Sequence, residues 1–213
     1  MKLGGFFGKI LFTKRCISCE KEGSYFCKTC IDKVPRSIPL GSDTYPLFEY
    51  RDIYMTKALW QMKYLSRDSI AETFSEYILE EIENIILEKA LFEKIGQVTI
   101  VPIPMSEKRK KKRGKNHIKT LADFVSEKGS YPVSDILIKH KETDPQARIK
   151  NRSKRLRNVS GSMSYKKDSE KDIVGKTVIL IDDIITTGAT INEAKRVLKK
   201  LKPKSVITIT IAH

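Results

Sequence analysis

The stretch VILIDDIITTGAT, Val178 to Thr190, decides how the chain is read. Four apolar residues, Val178 to Ile181, run without a polar break, which suits a strand covered on both faces. Two adjacent acids follow, Asp182 and Asp183, and then a hydroxyl-rich turn around Gly188. In open parallel sheets, ligands bind beyond the carboxyl ends of the strands. The turn lies at that edge and leads into a helix, INEAKRVLKKL, whose first N–H groups have no partner inside the helix and attract an anion. Gly188 lets the backbone come close, and Thr186, Thr187 and Thr190 add hydroxyl donors. The loop therefore suits a phosphate. The acids suit groups that donate to carboxylates, such as sugar hydroxyls, or a hydrated Mg2+. A phosphate beside a diol is a ribose 5-phosphate. A lone pair of acids after a strand would read as a cap for the next helix; the whole pattern favours the ligand.

Working outward, strands and helices alternate. QVTIVPIP reads as a strand and a proline-bearing loop, NHIKTLADFVSEKG as an amphipathic helix stopped by Gly129, and SDILIKH as a strand. Residues 141–160 are polar and basic without a strong period, and SVITITIA is a last strand. This alternation predicts an α/β fold with a parallel sheet flanked by helices. Upstream, Ile70, Phe74, Tyr77, Ile78, Ile82, Ile85, Ile86 and Leu91 recur at helical spacing within a helical stretch, 52–94, with Gly96 as its stop. Residues 31–49 carry three prolines and read as a linker or extended arm.

All four cysteines lie in CISCEKEGSYFCKTC: Cys16, Cys19, Cys27 and Cys30. Two C-x2-C knuckles can close a tetrahedral site of four sulfurs around zinc. Such a closed sphere staples a fold and leaves no position for catalysis. Two disulfides are the alternative, and they belong to small secreted chains. The opening MKLGGFFGKILF is apolar but short and lacks a small-residue cleavage site, so it is not read as a signal peptide. No apolar run reaches the roughly 18 residues of a membrane span. The expected location is cytoplasmic. The chain of 213 residues thus divides into a zinc-binding module with four cysteine ligands (1–35), a linker and helical region packing on the core (36–96), and the sheet domain (97–213).

The net charge of +15 is uneven. Residues 1–97 hold 14 Lys and Arg against 14 Asp and Glu, so the entire excess lies in residues 98–213. A basic field of this size gathers polyanions, although lysine-rich surfaces also serve solubility alone.

VILIDDIITTGAT resembles the signature of type I phosphoribosyltransferases that binds 5-phosphoribosyl-1-pyrophosphate (PRPP). The resemblance implies that Asp182 and Asp183 hold the ribose hydroxyls, with Ile184 beside them. It makes Thr186, Thr187, Gly188, Ala189 and Thr190 the loop for the 5′-phosphate. The cysteine knuckles narrow it further and are similar to those of the ComF family of competence-associated proteins. FFGKILF, ALWQMKY around Lys63, VPIP at 101–104, KRGKNH at 112–117 and DPQARIKNRSKRLRNVSG at 144–161 agree, so the likeness covers nearly the whole chain. The chain departs from the family at Lys115, more often apolar or aromatic, and at His117, more often Gln. Membership implies a phosphoribosyltransferase-like domain with a structural zinc and Mg2+ bound with PRPP. It also implies a role in handling single-stranded DNA during natural transformation, beside the inner face of the cytoplasmic membrane with a competence helicase as partner. A transferase moving ribose 5-phosphate to a nitrogenous acceptor, with Asp182 and Asp183 as catalytic acids, and a non-catalytic PRPP sensor are the alternatives.

Two basic segments carry the charge. KRKKKRGKNH follows the strand at 98–103, where the related transferases have their pyrophosphate loop; Lys108, Arg109, Lys112 and Arg113 are its candidate ligands, to pyrophosphate or to a DNA backbone. QARIKNRSKRLRN occupies the position of the family's mobile loop, with Gln146, Arg155 and Asn158 as contacts. Neither run has aromatic residues among its cations, Tyr131 and Tyr165 being distant, so contacts to DNA are expected mainly at phosphate. His117, His140 and His213 are scattered and read as surface residues.

Overall fold

The computed structural model describes residues 13–140, Val159 and 161–213. Its centre is a parallel four-stranded sheet in the order β1-β6-β5-β2. The strands are β1 (Thr44–Phe48), β2 (Val98–Pro102), β5 (Thr177–Ile184) and β6 (Ser205–Ala212). Strand β5 carries the acid pair and lies between β6 and β2, as the expected α/β sheet requires. Its side chains alternate between two cores. Ile179 and Ile181 enter one with α2 (Ile53–Tyr64), α3 (Asp68–Ala90) and α5 (His117–Gly129). Val178 and Leu180 enter the other with Ile191, Ala194, Val197 and Leu198 of α6 (Ala189–Lys199). The unbroken apolar run is what a strand covered on both faces needs.

Local chemistry sets the helix starts. Asp52 caps α2 by accepting from the N–H groups of Tyr54 and Met55 at 2.9 and 2.8 Å. Asn116 caps α5 by accepting from Ile118 N at 3.1 Å. The buried stripe of α3 runs Ile70, Phe74, Tyr77, Ile78, Ile82, Ile85, as the helical spacing predicts. The helix ends at Ala90, however, six residues before Gly96.

Three expectations change. The proline-bearing stretch holds the edge strand β1, paired in parallel with β6 from Thr44 to Phe48. Pro46 is tolerated there because an edge strand can do without one ladder N–H. The SDILIKH strand, β3 (Leu137–Lys139), leaves the main sheet and pairs antiparallel with β4 (Met163–Tyr165). From the same segment, Val133 bridges to β2 at Ile100. The cationic run after β2 is a short helix, α4 (Glu107–Arg113), rather than a loop.

The cysteine segment, which includes the single helical turn α1 (Lys28–Ile31), shares its apolar cluster with the sheet. Phe26 meets Phe74 of α3 edge-on at 6.4 Å, and Phe74 meets Phe48 of β1 at 6.3 Å. Tyr77 donates to Asp32 Oδ1 at 2.6 Å, and the Arg67 guanidinium lies 4.0 Å from the Tyr25 ring centre. Among the described residues, no helix is long and apolar enough to cross a membrane.

Phe74 is fully buried and joins the cysteine segment, α3 and β1. Phe74→Ala should cost about 3–5 kcal/mol in urea unfolding. It should also speed labelling of Cys16 and Cys30 by a thiol reagent in native conditions. Unchanged labelling would mean that the cysteine segment does not depend on this contact.

Candidate functional site

Beyond the carboxyl end of β5 lies a cleft of about 530 Å³. Asp182 and Asp183 form part of its lining, with Ile184, Thr186, Gly188, Ala189 and Thr190 from the loop after the strand. Arg109 and Arg113 of α4 line it as well. The structure thus brings together residues from two sequence segments named above. Thr187 instead lines a neighbouring cleft of about 650 Å³ with Asn192 and Lys195, on the far side of the same loop. Lys108 is exposed and does not line the acid cleft; Lys112 lies within α4. Gln146, Arg155 and Asn158 lie outside the described residues.

The acids are not equivalent. Asp183 Oδ2 meets Lys63 Nζ at 2.9 Å and His117 Nε2 at 2.6 Å. Burial opposes its ionisation, but the Lys63 charge and the His117 hydrogen bond overcome this and hold the carboxyl well below the usual range. Asp182 has no such clamp among the described residues. Its Oδ1 accepts from Asp183 N at 2.9 Å. Burial and the adjacent Asp183 charge push its pKa up to about 7, against the weaker pull of Lys63 and Lys139. Lys139 also lines the cleft; burial, with help from Arg109, lowers its pKa. Two neighbouring carboxyls in different protonation states can divide their work, one as a fixed anion and one as a proton carrier.

Three of these residues were missed or misread in the sequence. His117 is buried, not a surface residue, and its Nδ1 finds no partner among the described residues. Lys63 comes from α2 and Lys139 from β3, far from Asp183 along the chain. A signal existed for His117. Asn116 is a good N-cap residue placed just after the cationic run, so the helix it opens starts at the same sheet edge as the acids.

The loop after β5 has the geometry for close approach. Gly188, at φ 72°, lies in the left-handed region and is the N-cap of α6. It has no side chain to cap the first N–H groups of that helix, and Ala189 N reaches Thr187 Oγ1 only at 3.5 Å.

The sulfurs of Cys16, Cys19, Cys27 and Cys30 lie within 4.8 Å of one another, and all four thiols are free. Cys19 and Cys27 Sγ are 3.7 Å apart, too far for a disulfide and close to the edge of about 3.8 Å in a tetrahedral zinc tetrathiolate. Burial disfavours the Cys16 thiolate, but N–H groups of Cys19, Cys27 and Ser18 bring its pKa to about 6. Such a set can hold a metal such as zinc.

The fold and site define a class. The phosphoribosyl transferase domain family matches residues 79–213, and the chain belongs to it. More particularly, it is similar to the competence proteins. It is 32% identical to Competence protein ComFC of Streptococcus pneumoniae over 144 residues, which are 68% of this chain and 56% of that protein. To Competence protein ComFC of Bacillus subtilis it is 27% identical over 166 residues, 78% of this chain and 62% of that protein. The chain therefore spans only 56–62% of these relatives. Among solved structures, an allosteric regulatory enzyme of purine biosynthesis aligns over 72% of this chain and 30% of its own, at 17% identity and a TM-score of 0.43.

The Asp182 environment has a sign that can be tested. Its folded pKa, about 7, exceeds the unfolded value of about 3.9, so the native state holds the proton more tightly. Stability from this group is full below about pH 4 and is lost as pH rises towards 7. Asp182→Asn, which cannot ionise, should raise the melting temperature relative to wild type more at pH 8 than at pH 5. An equal difference at both values would reject the assignment. Asp183, depressed by its clamp, acts in the opposite sense: its contribution is present above about pH 4 and is lost only in strong acid.

Proposed function

We propose that this chain is a ComF-type competence protein that binds PRPP with Mg2+ and engages single-stranded DNA during natural transformation. The observation that carries this is the pairing, across one cleft, of the acids Asp182 and Asp183 with the Gly188 loop at the start of α6. In this reading the acids accept the ribose hydroxyls and the loop from Thr186 to Thr190 takes the 5′-phosphate. Arg109 and Arg113 face the pyrophosphate, whose several negative charges Mg2+ shares. Lys108 and Lys112 extend the cationic surface for a DNA backbone. The likeness to proteins named for competence, together with a basic excess confined to the second half of the chain, supports the DNA role. A cytoplasmic place at the inner face of the membrane and a helicase partner follow from the same reading.

A second reading has its own support. An acid with a pKa near 7 is well poised to take a proton from a nitrogenous acceptor. In that case the chain is a working transferase that releases pyrophosphate.

Phosphorus NMR separates these. PRPP lines with Mg2+ should broaden when protein is added. Asp182→Asn combined with Asp183→Asn should weaken binding about a hundredfold, measured at a temperature where circular dichroism shows the variant folded. Retained affinity in that variant would reject the site. Pyrophosphate that appears only with both protein and a base would establish the transferase. Broadening without turnover would leave a binder or sensor.

The cysteine cluster acts, in this proposal, as a structural zinc site. Elemental analysis of protein purified under reducing conditions should find one zinc per chain. Chelation should expose residues 13–35 to hydrogen exchange while β5 and β6 stay protected. A metal-free protein with an ordered cysteine segment would remove zinc from the account.

A further inference from the structure

The most conspicuous unexplained feature is an exposed aromatic pair on α2. The inward side of this helix, Met55, Ala58, Leu59 and Met62, already fills the core. Trp60 and Tyr64 point the other way and remain 52% and 51% exposed among the described residues. One helical turn apart, their rings lie 5.7 Å between centres and are tilted by 38°. Trp60 is the one tryptophan of the chain. Side chains of this size normally bury about 150–250 Å² each, so leaving two together in solvent marks a contact surface.

Its neighbours indicate what it contacts. The Arg113 guanidinium of α4 lies 4.7 Å from the Tyr64 ring centre, and its Nη2 donates to the Tyr64 hydroxyl at 3.0 Å. Tyr64, Arg109 and Arg113 share the lining of the acid cleft. The fold therefore joins aromatic rings to the cationic run that, in sequence, has none nearby. Aromatic faces beside a cationic track are the means by which proteins hold single strands, because unpaired bases stack while phosphates meet the cations. A duplex would offer no free base faces to such a pair. A bilayer would need a broad apolar face; Ile53 and Tyr54 of this helix are exposed as well, but Thr56 and Lys57 interrupt them, and Tyr64 lines the cleft.

We propose that Trp60 and Tyr64 are a stacking platform for unpaired bases of single-stranded DNA, whose phosphates run along α4. The platform rests on the DNA-binding reading above and adds to it a base contact that phosphate recognition alone would lack. Bases enter between the aromatic pair and the cleft mouth, and Arg113 fixes the Tyr64 ring while it faces the strand. Binding is then tolerant of sequence but demands that bases be present.

The test uses the full chain and a fluorescent oligothymidylate, followed by anisotropy across a salt series. Wild type should bind with a salt-dependent affinity and with quenching of Trp60 emission. Trp60→Leu combined with Tyr64→Leu should weaken binding about tenfold or more, with the salt slope unchanged, because the phosphate contacts remain. Trp60→Phe should recover part of the loss. An abasic strand of equal length and charge should bind wild type as weakly as the double variant binds thymidylate. Equal affinity of wild type and the double variant overturns the platform and leaves the DNA reading standing. The absence of salt-dependent binding to any strand overturns both. A Trp60 emission shift on anionic phospholipid vesicles, with none on oligonucleotides, also overturns the platform and assigns the face to a membrane surface.

Discussion

Three elements meet at one carboxylate. Asp183, on β5, receives Lys63 from α2 and His117 from α5 on the same oxygen. The side chains of Lys63, His117 and Asp183 are only 17%, 6% and 15% exposed, so neither the ion pair nor the imidazole is well hydrated. Breaking a buried pair by removing one partner commonly costs about 3–5 kcal/mol, because the remaining charge has nowhere to go. The contact therefore draws two helices to the end of the sheet and so builds two walls of the cleft. It also shapes the other acid. With the Asp183 charge fixed, Asp182 sits beside a permanent anion and is pushed towards neutrality. One clamp thus makes both the shape of the site and its chemical asymmetry.

The cysteine segment depends on the same scaffold from the other end. Its sulfurs are positioned by local turns, but its apolar residues have no core of their own. Phe26 and Ile31 pack into the cluster that holds α3 and β1, and Arg36 lies over both Phe48 and Tyr77. A small thiolate cluster of this kind seldom buries enough surface to stand alone. Here the long helix α3 carries that load and connects the cysteines to the sheet. Loosening at the cysteines would be felt by α3 before the acid cleft.

What could be read in the sequence follows from the range of the interactions. The β5 run and the loop after it were legible because a continuous apolar strand, an acid pair and a glycine turn are consecutive. The cysteine cluster was legible because its ligand spacing is local. The stripe of α3 was legible because 3.6-residue periodicity survives over many turns. Strand β1 was hidden because Pro46 and its neighbours carry turn chemistry, and only pairing with β6 overrides it. Lys63 and Lys139 were hidden for a different reason. Each sits on a separate element, and nothing in its own neighbourhood announces the carboxylates it will meet. The antiparallel β3–β4 pair likewise requires a partner that no local pattern specifies.

The same distinction changes how the cationic run should be weighed. Read as a string, KRKKKRGK offers seven charges, far more than a pyrophosphate needs. In the fold, several of them are engaged within the protein. Lys115 pairs with Asp68 at the start of α3, Lys110 approaches Glu107 within α4, and Arg113 is tied to Tyr64. Part of the charge therefore ties the run to α2 and α3, so it serves the fold as well as any ligand. The contact between Arg113 and Tyr64 joins these two uses, since it orders the helix and sets an aromatic ring beside the cations. A polyanion that reached this edge would meet a positioned array with a defined cleft beneath it, which a flexible basic tail could not provide.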